Sequence, residues 1–151
     1  MILRRIARPM LASVFVVGGV DSLRNPAGKA AAAQGFIDGS VQALPDTVTA
    51  NVPTDAETVI RVNGAIQVAA GLLLASGKFP RPAAALLAGS LVPTTVAGHA
   101  FWNETDPALK AQQRTQFVKN VSLLGGLLIA AADTEGKPSL GWRGRRAAET
   151  V

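Results

Sequence analysis

The sequence predicts an all-α protein: an integral membrane four-helix bundle with both termini cytoplasmic and short helices in the outer loops. Three observations predict it. Charged residues make up only 17% of the 151-residue chain and mean hydropathy is +0.27, against about 25% charged residues in an ordinary soluble domain. Four apolar runs, Ile6 to Leu23, Val59 to Ala75, Pro82 to Trp102 and Phe117 to Ala132, come close to the roughly 20 residues that cross a hydrocarbon core. The apolar content is mostly Ala, Leu and Val with 15 glycines, a mixture that lets helix backbones approach closely in lipid.

The first run follows Arg4 and Arg5 and is interrupted by Arg8. A secretory signal also has a basic start and an apolar middle. Here Asp21, Arg24, Asn25 and Pro26 separate the run from the small residues Ala31-Ala32-Ala33, so a retained helix is expected. Residues 24–53 form a long connection. Asn25-Pro26 signals a helix start that could run to Gln34. Phe36, Ile37, Val41 and Leu44 then recur at intervals of one, four and three, which suggests a short helix on the membrane surface or capping the bundle.

Thr54-Asp55-Ala56-Glu57 reads as the N-cap of the second run, with acidic residues at the positive end of the helix dipole. Asn63, Gln67 and Gly71 lie at i, i+4 and i+8, on a face that should meet neighbouring helices. Arg61 lies near the start of the run, where it could snorkel outward. The basic turn Gly77-Lys-Phe-Pro-Arg-Pro82 is short, so the second and third helices should be antiparallel neighbours. Pro93 removes a backbone hydrogen bond within the third run, with Thr94 and Thr95 as candidate partners for the freed carbonyl. Thr95, His99 and Trp102 share a helical face. Asn103 to Gln116 is polar, and Asp106-Pro107 should start a short helix. In the fourth run Lys119, Ser122 and Gly126 share a face. Residues 1–133 form the expected membrane domain. Residues 134–151, with Lys137, Arg143, Arg145 and Arg146, are expected to be a mobile basic tail.

Fifteen basic and ten acidic residues give a net charge of +5. Apart from Arg8, Arg61 and Lys119, the basic residues lie in short clusters outside the apolar runs, without interleaved aromatics, so orientation in a membrane explains them better than nucleic acid. Apart from Arg61 and Lys119, nine fall on the side of the termini and four on the other, which places both termini in the cytoplasm. Asp21, Arg61, His99 and Lys119 then all sit near the outer interface. A charge buried there needs a partner, and Asp21 with Arg61 or Lys119 is the expected pair. Asn63, Gln67, Thr95, Trp102 and Asn120 complete the candidate polar layer. Separate snorkelling of the four ionisable residues is the plain alternative.

The long first outer loop from Asn25-Pro26, the second helix with Arg61 and Asn63-Gly64, and the Pro-Arg-Pro turn resemble the DoxX family. So do the third helix ending Pro93…Thr95…His99-Ala-Phe-Trp102 and the Gln116-Phe117…Lys119-Asn120 start of the fourth. The resemblance covers roughly residues 3 to 133 and is most specific from Pro80 to Asn120. The Ala-rich, Arg-tailed composition is similar to actinobacterial, in particular mycobacterial, members. The resemblance implies a multi-pass protein of the bacterial plasma (inner) membrane. Related DoxD-type chains are subunits of a thiosulfate:quinone oxidoreductase, and a mycobacterial DoxX protein is associated with a superoxide dismutase and a sulfurtransferase in a membrane redox complex.

Three functional readings follow. In the first, the chain is a membrane subunit of a redox or oxidative-stress assembly that contacts a quinone. His99 would bond a quinone carbonyl, Arg61 or Lys119 would stabilise reduced-oxygen charge, and Phe101 or Trp102 would stack on the ring. With one histidine and no cysteine, the chain cannot by itself supply two axial haem ligands, an iron–sulfur site or a zinc site. Electrons would therefore come from a quinone or a protein partner, and no covalently bound cofactor is expected. In the second reading the chain is a non-catalytic scaffold for a partner protein. In the third it is a small-molecule or lipid transporter, which with four helices would need an oligomer for alternating access. Lipid is the common partner in all three, and no nucleic acid is implied. Nucleophile triads, phosphate-binding glycine loops and paired catalytic carboxylates are not found.

Overall fold

The computed structural model describes residues 2–42, 53 and 55–134. Five α-helices account for most of them: α1 (Ile2–Arg24), α2 (Pro26–Gln42), α3 (Ala56–Ser76), α4 (Pro80–Gly98) and α5 (Pro107–Ala132), with a 3-10 turn at Phe101–Asn103. Helices α1, α3, α5 and the combined stretch Pro80–Asn103 are each long and apolar enough to cross a membrane. The expectation of an all-α bundle with four spans is met, and the expected Leu44 contact and basic tail lie outside the described residues.

The helices follow one another in space as α1, α3, α4, α5, each antiparallel to the next, while α2 lies across α3 and α4. The bundle thus has a terminal end, where α1 starts and α5 stops, and a roofed end covered by α2. The widest contact joins α1 to α3. On α1, Ala12, Phe15, Gly19 and Ser22 recur at intervals of three and four and are buried. On α3, Gly64, Gln67, Gly71 and Leu74 do the same. This spacing makes one stripe on each helix.

Glycine is essential where the stripes cross. A Cβ on Gly19 would lie 2.7 Å from the Gly64 carbonyl oxygen, and one on Gly64 would lie 2.9 Å from the Gly19 oxygen. Because lipid tails are as apolar as leucine, burial of apolar surface does little to join helices in a membrane, and close packing takes over. Val14, Val17, Leu72, Leu86, Val118 and Ile129 are exposed and form the lipid-facing surface. At the terminal end the packed core draws on all four spans, centred on Phe15, Leu74, Leu87 and Leu127.

Local signals set the helix ends. Asp55 caps α3 by accepting from the Thr58 backbone N–H at 2.9 Å. Gly77, with φ of 72°, ends it through an N–H bond to the Leu74 carbonyl. The next turn is tight enough to force Phe79 to φ of 54°, uncommon for a bulky residue, before prolines open α4.

Four local expectations are corrected. The stretch after Asn25 is one helix of 17 residues, not a helix to Gln34 followed by a second. Alanine has the highest helix propensity, and the run through Ala33 carries the helix past Gly35 and Gly39. The segment before Phe117 is not a separate short helix, because α5 is continuous over 26 residues. The polarity of Gln112, Gln113 and Arg114 governs depth in the membrane and does not interrupt helix geometry. The third helix stops at Gly98, where His99 leaves helical geometry, so Trp102 sits on the 3-10 turn and not on a continued helix face. Finally, Pro93 frees the Gly89 carbonyl, but Thr94 and Thr95 donate to the Ser90 and Leu91 carbonyls at 2.7 Å each. Those bonds use the single donor proton of each hydroxyl and leave its oxygen able to accept across helices.

Gly19→Ala should lower stability by about 1–3 kcal/mol, since backbone rather than a flexible side chain opposes the new methyl. Gly28→Ala, with open space around its Cα, should be neutral or stabilise by up to about 1 kcal/mol; thermal unfolding in mild detergent reads both. Hydrogen bonds from the Thr58 side chain and backbone N–H hold the Asp55 carboxyl below its ordinary value. A depressed folded pKa contributes stability that is complete above the ordinary carboxylate range and lost as pH falls through the folded value. Asp55→Ala should therefore melt below wild type at neutral pH, with the gap closing as the carboxylate titrates.

Candidate functional site

Polar side chains form a ladder through the middle of the bundle toward its roofed end. The Ser90 hydroxyl donates to Asn63 Oδ1 at 2.7 Å and accepts from Gln67 Nε2 at 3.1 Å. Asn63 Nδ2 donates to Thr94 Oγ1 at 3.2 Å, and Asn120 Nδ2 donates to Thr95 Oγ1 at 3.0 Å. Helices α3, α4 and α5 are thereby tied by amides and hydroxyls. Among the described residues no buried side-chain polar atom lacks a partner. The helical register places these groups together: Ser90 and Thr94 are one turn apart on α4, opposite Asn63 and Gln67 one turn apart on α3.

Above the ladder, His99 Nδ1 is 2.7 Å from Gln113 Oε1. In the tautomer that donates Nδ1–H to this amide oxygen, Nε2 is the acceptor. Nε2 has no protein partner among the described residues. Just after His99 in the chain, Phe101 and Trp102 meet each other and Phe117 edge to face, with centroids 5.2 to 5.9 Å apart. Phe117 also closes a crevice of about 110 Å³ between α4 and α5, with Leu91, Val92, Thr95, Val96, Asn120, Val121 and Leu124 as its other walls. The crevice is apolar except for the Thr95–Asn120 pair.

The predicted ionisable layer is divided among local pairs. Asp21 bonds neither Arg61 nor Lys119; its partner is Lys29 of α2, with Nζ at 2.6 Å and Asn25 alongside. Lys29 reaches Asp21 because Asn25-Pro26 turns the chain back after α1, bringing the first turn of α2 beside the last turn of α1. The same Nζ donates to the Gly18 carbonyl at 3.1 Å and Ser22 Oγ at 2.9 Å, so all three of its protons are placed. Arg61 is exposed, 3.7 Å from Glu57, and Lys119 donates to Gln116 at 2.9 Å. Asn63, Gln67, Thr95 and Asn120 join the ladder, His99 bonds Gln113, and Trp102 packs on Phe101 and Phe117.

Sequence reading missed Ser90, Gln113 and Lys29. Ser90 stands four positions before Thr94, a signal that the pattern of α4 did carry. It also missed a charge clasp at the terminal end. Arg4 Nε lies 2.7 Å from Asp133 Oδ2 and its Nη2 3.0 Å from Oδ1, with Arg8 3.5 Å from the same carboxylate and Arg81 donating to the Ala131 carbonyl at 2.9 Å. The clasp joins residues far apart in sequence, so no local pattern announces it.

Among the described residues no three His, Asp or Glu side chains converge as a metal site would require. What the site offers is one imidazole acceptor, an aromatic wall and a lipid-facing crevice below them. Ser90→Ala removes two bonds and leaves the Asn63 and Gln67 amides short of a partner. It should destabilise the protein by about 1–2 kcal/mol, more than Thr94→Val, in thermal unfolding of the detergent-solubilised chain.

The sequence profile of the DoxX family matches residues 3–100. The inner membrane protein YphA of Escherichia coli (strain K12) is 31% identical over 139 residues, covering 92% of this chain and 88% of YphA. No solved structure matches the chain. With four helices able to cross a membrane and an inner-membrane relative over nearly its whole length, the chain is a multi-pass plasma-membrane protein and belongs to the DoxX family.

Proposed function

We propose that this protein is the membrane subunit of a redox or oxidative-stress assembly and seats a reduced quinone at its roofed end, with both termini in the cytoplasm. The observation that carries the reading is His99 at the end of α4, held by Gln113 of α5 and followed in the chain by Phe101 and Trp102, which pack on Phe117, itself a wall of the α4–α5 crevice. A quinone carbonyl needs a donor, whereas a quinol hydroxyl supplies one. An Nδ1–H bond to Gln113 would leave Nε2 to accept from a quinol hydroxyl, which is why the reduced ligand is proposed in place of the carbonyl contact expected from the sequence. The aromatic edges would flank the ring, and the start of its prenyl tail would enter the crevice past Val121 and Leu124. Arg61 and Lys119, already bonded to Glu57 and Gln116, have no part in this seat. The orientation rests on the excess of basic residues on the side of the termini.

A non-catalytic scaffold is the second reading, favoured by α5. Among its described residues only Leu127 is buried, which leaves an apolar helix face for a partner or for lipid. Gentle detergent purification from native membranes, followed by mass spectrometry of small molecules and proteins, separates the two. Quinone or quinol that co-purifies with wild type and is lost in a His99→Gln variant of unchanged melting temperature would support the seat. Folded wild-type protein without any quinone would overturn it, and a stable protein partner in its place would favour the scaffold.

A further inference from the structure

We propose that Lys110 and Arg114 bind the phosphate of an anionic glycerophospholipid at the roofed end of α5. The two cations stand one turn apart and so share a face of the helix. Neither side chain has a hydrogen-bond or ion-pair partner among the described residues. The nearby carboxylates accept from backbone N–H groups and bond neither cation: Asp106 caps α5 by accepting from those of Ala108 and Leu109, and Glu104 accepts from those of Thr105 and Asp106. Among the described residues, α5 therefore presents two cationic side chains without an ion-pair partner, on the side of the protein that carries fewer basic residues.

Depth and shape fit a phospholipid. At 26 residues α5 is about 39 Å long, beyond the roughly 30 Å of hydrocarbon. The Arg4–Asp133 clasp and the Arg81 contact mark the interface at its other end. Lys110 lies 23 residues before Asp133, a rise of about 35 Å, which puts it among the headgroups of the opposite leaflet. Two adjoining hollows flank Arg114. One, of about 470 Å³, is bounded by Phe101, Pro107, Lys110 and Ala111, and the other, of about 410 Å³, by Ala111, Thr115, Val118 and Lys119. Arg114 offers a phosphate a planar fork and Lys110 a point charge, while exposed Val118 and Val121 continue below as a track for an acyl chain. This surface adjoins the His99 site, sharing Phe101 with its aromatic wall and Val121 with the crevice, whereas Lys110 and Arg114 belong to neither the wall nor the crevice.

The full chain is reconstituted in phosphatidylcholine nanodiscs that contain a minority of phosphatidylglycerol, and retained lipid is counted by native mass spectrometry. Wild type should retain phosphatidylglycerol preferentially, and the preference should fall about fivefold for each cation removed in Lys110→Gln and Arg114→Gln. Lys78→Gln, an exposed cation on the turn at the opposite end, should leave it unchanged. Equal retention of the two lipids by wild type, or an undiminished preference in the correctly melting double variant, would overturn the proposal. So would loss of a co-purifying acidic protein from the double variant while phosphatidylglycerol retention stays intact, which would assign the patch to a protein.

Discussion

The contact between the α1 and α3 backbones at Gly19 and Gly64 is the constraint on which the rest of the bundle depends. Each glycine occupies space that the other's carbonyl would deny to a methyl group. In water, two apolar helices are driven together by the release of surface from solvent. In lipid that drive is nearly absent, and dispersion between closely fitted surfaces must do more of the work. Close approach at this crossing brings the Ala12–Ser22 stripe against the Gly64–Leu74 stripe along much of both helices. It also fixes the rotation of α3 about its own axis. With Gly64 and Gly71 facing α1, Asn63 and Gln67 are turned toward α4.

That rotation makes the polar ladder possible. An unpaired amide in a bilayer is costly because water cannot replace a missing partner. The amides of Asn63, Gln67 and Asn120 are matched by Ser90, Thr94 and Thr95, whose hydroxyls also serve the α4 backbone. A hydroxyl can donate to its own helix and still accept from the next one. The ladder therefore joins α3, α4 and α5 without any charge in the middle of the membrane. It delivers the C-terminal end of α4 to a defined place beside α5, where His99 meets Gln113 and the three aromatic rings gather.

Apart from exposed Lys119, which bonds Gln116, the paired charges gather at the two ends, with a different duty at each. At the terminal end Arg4, Arg8 and Asp133 close the α1–α5 side of the bundle, which the helix order otherwise leaves thinly joined. At the roofed end Lys29 ties α2 to the last turns of α1 through a carboxylate, a hydroxyl and a carbonyl. Helix α2 itself packs Ala30, Ala33 and Ile37 on Ala56, Val59, Ile60 and Ala97. It thereby covers the ends of α3 and α4 near the candidate site. Fixed charges at both interfaces, with uncharged hydrogen bonds between them, set how deep each helix sits.

Hydropathy and length determine four spans from the amino-acid order alone, since each span must satisfy its own backbone and present apolar side chains to lipid. The capping role of Asp55, the stop at Gly77 and the inward face of Asn63, Gln67 and Gly71 were legible too, because they follow from positions within one helix. Partner identity was not. Asp21 sits near Arg61 and Lys119 in any linear reckoning of depth, yet the fold turns Lys29 back onto it. The Arg4–Asp133 clasp spans nearly the whole described chain. The end of α4 at Gly98 and the unbroken run of α5 past its polar third also escaped a reading based on hydropathy. Polarity reports how deep a residue lies, whereas helix continuity depends on caps and neighbours. Side-chain pairing across helices depends on their rotation and order, and these arise only when glycine, amide and hydroxyl positions on different segments are packed together.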